Sequence, residues 1–470
     1  MGLLIRNGTI VSAKDEFIGD ILVEDEKIKE VGISLEADGH EVVDATGKFI
    51  FPGGVDEHVH MGPFDTYSFE TSHAAVVGGT TTIVDFAPQF KDMGVIDSFK
   101  KHKAERADGI STADYSFHGM VMDTSEKLID EIPHMVEAGI STLKVLMAYK
   151  YTPFMINDEL IFKAMQVARD HGITVMVHAE NGDMVYELQQ QLKAEGETEP
   201  INHAYSRPPI VEDEATRRAI YLSELADCPL FVVHVTTEGA MKHIKNAREN
   251  GQPVYGETCT HYLTLDQSYL AKPDFEGAKY ICAPALRPKE HQEALWKAVR
   301  DDDLIAISSD HAAVEGGFEH KKKFKFPDIP NGAPGFQDRL AMVWSQGVAK
   351  DRISRQRFVE LTSTNPAKMV GLYPQKGALI PGADADIVIF DPDYRGTITH
   401  EDSYEGTDYS TYEGFEKIGI ADKVYLRGKL MAERGRLVAE TGGGKYIRPE
   451  PYGLCYDQFE KSEKKSKVNV

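Results

Sequence analysis

The chain has 470 residues, 41% hydrophobic and 27% charged, the balance of a soluble globular protein too long for one small core. Its formal net charge of −23 argues against a nucleic-acid partner, which needs a basic face, and favours a neutral or zwitterionic small molecule over an anion. No apolar run reaches the roughly 20 residues of a membrane span, so no membrane partner is expected.

Residues 1 to 51 read as short strands with tight turns: Leu3–Arg6 running into an Asn7-Gly8 hairpin signal, then Asp20–Glu24, Lys27–Val31 and His40–Asp44. The start, Met1 to Gly8, has no basic stretch leading into a long apolar one, so no signal peptide is expected. The next apolar run, from Phe51, ends in His58-Val59-His60. On a strand, residues i and i+2 point to one face, so both imidazoles aim at one place. Paired neutral imidazoles suit zinc or a similar divalent metal.

From there to about 370, apolar β runs alternate with helical patterns such as Leu160–Ala168 and Glu214–Leu222. The further strands are Thr80–Phe86, Asp114–His118, Ser141–Met147, Ile173–His178, Leu230–Val235, Val254–Thr258 and Leu304–Asp310. Eight βα units predict an α/β fold, a TIM (β/α)8 barrel; the alternative is an open doubly wound sheet. Strand texture returns in Gly377–Ile380, Ala385–Phe390, Lys423–Arg427 and Gly435–Ala439. The expected division is a β-sandwich-like domain from 1–51 and 372–450, a barrel over 52–371, and a C-terminal tail, 451–470, as an oligomer contact. The basic end, Lys461–Lys467, reads as a solvated tail. Cys228, Cys259, Cys282 and Cys455 are scattered with no C-x-x-C, which fits a reducing cytosol and no disulfide framework.

Polar residues fall where a barrel places its chemistry, at the C-terminal strand ends. His58 and His60 end strand one, Lys144 lies in strand four, His178 ends strand five, His234 strand six and Asp310 strand eight. Singly, each has an ordinary explanation: a hydrogen-bonded histidine, an aspartate at a helix start, a lysine paired with a buried carboxylate. Together they bury more polarity than independent causes explain. A desolvated lysine also has a lowered pKa; its neutral amine can add carbon dioxide to give a carbamate suited to bridging two metals.

The segments Pro52–His60, Gly78–Thr82, Ser141–Tyr149, Val177–Asn181, Ser308–His311, Thr362–Lys368 and Pro381–Asp386 resemble those of the dihydropyrimidinase/hydantoinase family of the amidohydrolase superfamily, over nearly the whole chain. The resemblance implies two divalent metal ions, zinc by expectation. His58, His60 and Asp310 would hold one, His178 and His234 the other, with N6-carboxylated Lys144 and a hydroxide bridging them. Lys150 competes with Lys144 as the bridge; spacing to His178 and strand position favour Lys144. The implied reaction is hydrolytic opening of a cyclic amide to an N-carbamoyl amino acid. In it Asp310 passes the proton to the leaving nitrogen, and Tyr149 and one metal stabilise the oxyanion.

Main-chain groups near Ala283 and Asn331 would bind the ring, with Ala283 standing where the family usually has serine. Phe64, Leu146 and Pro153 would line the pocket for the exocyclic substituent. The rivals are an allantoinase- or dihydroorotase-like hydrolase and a non-catalytic scaffold. Against the first, Met61-Gly62-Pro63-Phe64 after the histidine pair offers no arginine for a carboxylate; against the second, all six candidate ligands are present. The resemblance also implies a homotetramer or homodimer.

Overall fold

In a computed structural model, residues 2–62, 65–457 and 459 are described; Phe64 and the basic end therefore lie outside the described residues. The chain opens with strands β1 (Leu3–Val11), β2 (Glu16–Glu24), β3 (Lys27–Gly32), β4 (Glu41–Asp44) and β5 (Phe49–Pro52). It closes with β14 (Ile387–Thr397), β15 (Glu416–Leu426), β16 (Lys429–Glu433) and β17 (Arg436–Leu437). These nine form one mixed sheet, ordered β17-β16-β15-β14-β5-β1-β2-β3 with β4 beside β1. Both chain ends thus build a single sheet, joined where β5 pairs antiparallel with β14.

Between them run β6 (Gly54–Val59), β7 (Thr80–Pro88), β8 (Asp114–Met120), β9 (Thr142–Leu146), β10 (Thr174–His178), β11 (Leu230–Val232), β12 (Val254–Cys259) and β13 (Ala306–Ser308). Each pairs in parallel with the next in chain order. Every residue of these strands is buried, as expected of parallel strands covered on both faces. The first and last strands meet where His60 N donates to His311 O at 2.7 Å and Ser309 N to the Asp56 carboxylate at 3.0 Å. The eight-stranded barrel is therefore nearly closed, and the open doubly wound sheet is excluded.

Helices begin directly after the chemically loaded strands. Asn181 and Thr237 cap helices by accepting from Met184 N and Ala240 N through their side chains, each at 3.1 Å. Below the barrel, Met369, Val370, Ile447 and Cys455 pack on Val55, Met176 and Phe231. Tyr452 N also bonds Gly172 O at 2.9 Å, so the chain up to residue 457 lies against its own barrel. All four cysteines are free and buried. Among the described residues no helix is long and apolar enough to cross a membrane.

Several local expectations are corrected. Asn7-Gly8 makes no hairpin: β1 continues to Val11, with a bulge between Ile5 and Gly8. Asn7 takes φ 61° there, and a Cβ on Gly8 would meet Ile50 at 2.4 Å. The turn comes at Ser12–Asp15 instead. Gly377–Ile380 is not a strand, because Gly377 turns at φ 73° against the Ser363 carbonyl. Of Gly435–Ala439 only Arg436–Leu437 keeps strand geometry, with Val438 N still bonding Met431 O at 2.9 Å. The strands expected to end in His234 and Asp310 stop two residues earlier, since both residues leave the β region.

Candidate active site

Four imidazoles, a carboxylate and an amine meet at the C-terminal mouth of the barrel. His58 is the last residue but one of β6 and His60 follows the strand, their ring centroids 5.4 Å apart. Asp310, just past β13, lies with Oδ1 3.1 Å from His58 Nε2 and 3.4 Å from His60 Nε2. Each of these three offers a ligand atom within 4.8 Å of the others. His178, the last residue of β10, and His234, just past β11, have ring centroids 4.6 Å apart, and His234 is 5.3 Å from His58. Lys144 rises from β9 between these groups, its Nζ 3.4 Å from His58 Nε2 and 4.2 Å above the Phe86 ring. Lys150, by contrast, pairs with Asp183 at 2.8 Å at the protein surface.

Neighbouring carboxylates orient the imidazoles. His58 Nδ1 bonds Glu257, which turns Nε2 towards Asp310. His178 Nε2 bonds Glu180 at 2.9 Å, and the same Glu180 oxygen accepts from Arg207 at 2.5 Å. Such carboxylate–histidine pairs are the usual support of metal ligands. Glu257, Glu180 and Arg207 were not singled out from sequence; only the two-residue step from His178 to Glu180 could have signalled one of them.

Most of the protonation states suit metal binding; the exception is His58, where burial and Lys144 lower the pKa but Glu257 and Asp310 outweigh them and raise it above the ordinary histidine value. Burial pulls His60 and His178 below the ordinary histidine value, and His234 well below it. Burial pushes Asp310 up, but His58 and His60 outweigh it and hold the carboxyl well below its usual range. Burial draws Lys144 down to about 8, bringing a neutral amine within reach near neutral pH. Glu180 sits at about 2: burial would raise it, yet Arg207 and His178 prevail. Among the described residues, His60 Nδ1 and His234 Nδ1 are buried without a hydrogen-bond partner. This is a donor set with spare capacity of the kind a divalent cation takes up, so the residues present fit a metal.

Beside this cluster lies a cavity of about 290 Å³. Leu146, Tyr149, Ala283 and Asn331 all line it, together with His60, Lys144, His178, His234 and Asp310. Tyr149 stands with its ring 5.6 Å from that of His178 and edge-on to Phe154 at 6.0 Å. Burial pushes its phenol pKa up, so it remains a proton donor. Met120 and Phe154 also line the cavity, whereas Pro153 is exposed and does not. Met120 closes β8, two residues beyond the end expected from sequence.

Residues 49–431 match the Amidohydrolase family. The chain is 42% identical to the D-hydantoinase of Geobacillus stearothermophilus, over 97% of this chain and 99% of that one. It is 41% identical to the D-hydantoinase of Ralstonia pickettii, over 96% and 100%. The solved dihydropyrimidinase of Brevibacillus agri NCHU1002 superposes with a TM-score of 0.93 at 43% identity, covering 96% of this chain and all of the other. The L-hydantoinase (dihydropyrimidinase) of Arthrobacter aurescens gives 0.86 at 31%, over 95% and 99%. The barrel, its crown of imidazoles and this full-length similarity place the chain in the amidohydrolase family, on its hydantoinase and dihydropyrimidinase branch.

Proposed function

We propose that this metal-dependent hydrolase of cyclic amides opens 5-substituted hydantoins and dihydropyrimidines to N-carbamoyl amino acids, and prefers the D form of hydantoins. The observation that carries the reading is the convergence of His58, His60, Lys144, His178, His234 and Asp310 on one side of a cavity of about 290 Å³. The D preference rests on the relatives: those at 40–42% identity are named D-hydantoinases, and the L-named structure stands at 31%.

His58, His60 and Asp310 would hold one zinc ion and His178 and His234 a second, with Lys144 between them as its N6-carboxylate. Bound there, the metals would supply Lewis acidity and a water acidic enough to attack at neutral pH. The neutral Lys144 amine forms a bond to the carbon of carbon dioxide and releases a proton, becoming an anionic carbamate. Asp310, held ionised by its histidines, takes a proton from the attacking water and returns it to the leaving ring nitrogen. The Tyr149 hydroxyl donates to the carbonyl oxygen as negative charge gathers there. Main-chain groups at Ala283 and Asn331 hold the ring, so the missing serine hydroxyl is tolerated. Leu146, with Met120 and Phe154, receives the substituent.

Four free, buried thiols support a reducing cytosolic location. Exposed Ile210, Tyr221 and Leu225 along the helix Pro209–Ala226 support a homotetramer or homodimer.

The test is turnover of dihydrouracil, hydantoin and racemic 5-benzylhydantoin by zinc-loaded enzyme, with chiral separation of the products. It is paired with metal analysis of Lys144→Ala. Ring opening to mainly D products, and a variant lacking both metal and activity until a short carboxylate restores part of each, is expected. No turnover by the metal-loaded protein would reject the function, and full activity of Lys144→Ala would reject the bridging role.

A further inference from the structure

Lys321 is completely buried, and the chemistry above makes no use of it. It ends the short helix Gly317–Lys321. Its Nζ donates to two main-chain carbonyls, Gly332 O at 2.5 Å and Ile281 O at 3.4 Å. Among the described residues no carboxylate pairs with it, and burial draws its pKa down to about 7. An amine buried without a counter-charge is expensive, so its two acceptors identify what it holds.

Those acceptors belong to two segments that border the cavity. Ile281 precedes Cys282 and Ala283; Gly332 follows Asn331; and Cys282, Ala283, Asn331 and Gly332 all line the cavity. The segments also bond directly, Gly332 N to Ile281 O at 3.0 Å. That single bond leaves Gly332 O unused, and the ammonium takes it up. Gly332 itself has φ 118°, and a Cβ there would lie 2.4 Å from Ala312 O, so this segment tolerates little displacement. The helix carrying Lys321 is anchored from outside: exposed Asp408 accepts from Phe318 N at 2.6 Å and Glu319 N at 3.1 Å.

We propose that Lys321 is a positioning residue that clamps the Ile281–Ala283 and Asn331–Gly332 segments together, fixing the spacing of the main-chain groups that read the substrate ring. This rests on the assignment of ring binding to Ala283 and Asn331 made above. Lys321 touches neither the metal ligands nor the reacting atoms, so its effect falls on ring affinity.

The experiment is steady-state kinetics on hydantoin with metal-loaded Lys321→Met and Lys321→Gln. Methionine fills the volume without donating; glutamine keeps an N–H donor. The clamp predicts a rise in KM of about tenfold or more for Lys321→Met, equivalent to about 1.4 kcal/mol. It also predicts a smaller rise for Lys321→Gln, and little change in kcat or metal content in either. A space-filling role predicts the reverse order, with methionine close to wild type, and would overturn the proposal. If Lys321→Met does not fold, Asp408→Ala loosens the same helix from the exposed side. There a raised KM with kcat kept supports the clamp, and an unchanged KM overturns it. Absence of hydantoin turnover in the wild type would instead reject the functional reading itself.

Discussion

Tyr149, His234 and Asp310 hold left-handed backbone conformations, with φ of 68°, 41° and 48°. Such conformations cost non-glycine residues about 1–3 kcal/mol each and persist where the surroundings over-determine them. Here they turn the side chains of three strand-exit residues back over the barrel mouth. Replacing Tyr149 with Phe keeps the ring that packs on Phe154 and His178 and removes only the donor. The expected outcome is a fall in kcat of about 100- to 1,000-fold, the usual cost of losing one oxyanion donor, with metal content unchanged. An unchanged rate by direct assay would remove Tyr149 from the reaction. The convergence of these side chains at the barrel mouth was legible because an H-x-H pair, a lysine inside a strand and an aspartate at a strand exit are chemically improbable unless they share a purpose. Glu257, Glu180 and Arg207 were not legible, because their roles depend on partners 199, 2 and 27 positions away, and most such distances carry no sequence pattern.

At the scale of elements, the eight barrel strands could be read from sequence because short β-branched and apolar runs, such as Thr174–His178 and Leu230–Val232, alternate with helical patterns. Their ends could not, because a change in φ at a single residue stops the ladder. Equally hidden was the connection between β14 and β15, which reaches the site from the other sheet. From it Asp408 caps the helix bearing Lys321, and Thr411 donates to Pro334 O at 2.5 Å. The sheet and barrel are joined more firmly at Lys376, whose buried ammonium contacts Asp114 of β8 at 2.5 Å, Asp386 at 2.8 Å and Asp384 at 2.9 Å. Burial pulls its pKa down, but the three carboxylates outweigh this and hold it above the ordinary lysine value. Lys376→Met would leave those carboxylates short of positive charge. A loss of about 3–5 kcal/mol is expected, read as a lower denaturant midpoint, while kcat of the folded, metal-loaded enzyme stays the same. A midpoint equal to wild type would show that Arg427, which also pairs with Asp114, suffices alone.

Across the whole molecule, barrel and sheet face each other over a cleft of about 220 Å³ containing a buried acid. Asp338, which precedes the barrel helix Arg339–Gln346, lies 3.5 Å from Lys417 of β15. Burial pushes its carboxyl up to about 6, against the opposing pull of Lys417. An acid whose folded pKa lies above its unfolded value, about 3.9, favours folding when protonated. Its cost is therefore absent below about pH 4, develops between pH 4 and 6, and is complete above, at roughly 2–3 kcal/mol for a shift of about two units. Asp338→Asn removes the titration while keeping the shape. The variant should melt higher than wild type at pH 8 and nearly level with it at pH 4, by thermal denaturation of the metal-loaded enzyme at both values. Equal shifts at the two pH values would mean that Lys417 compensates Asp338 in full, and that the contact between the two halves of the molecule is indifferent to its charge.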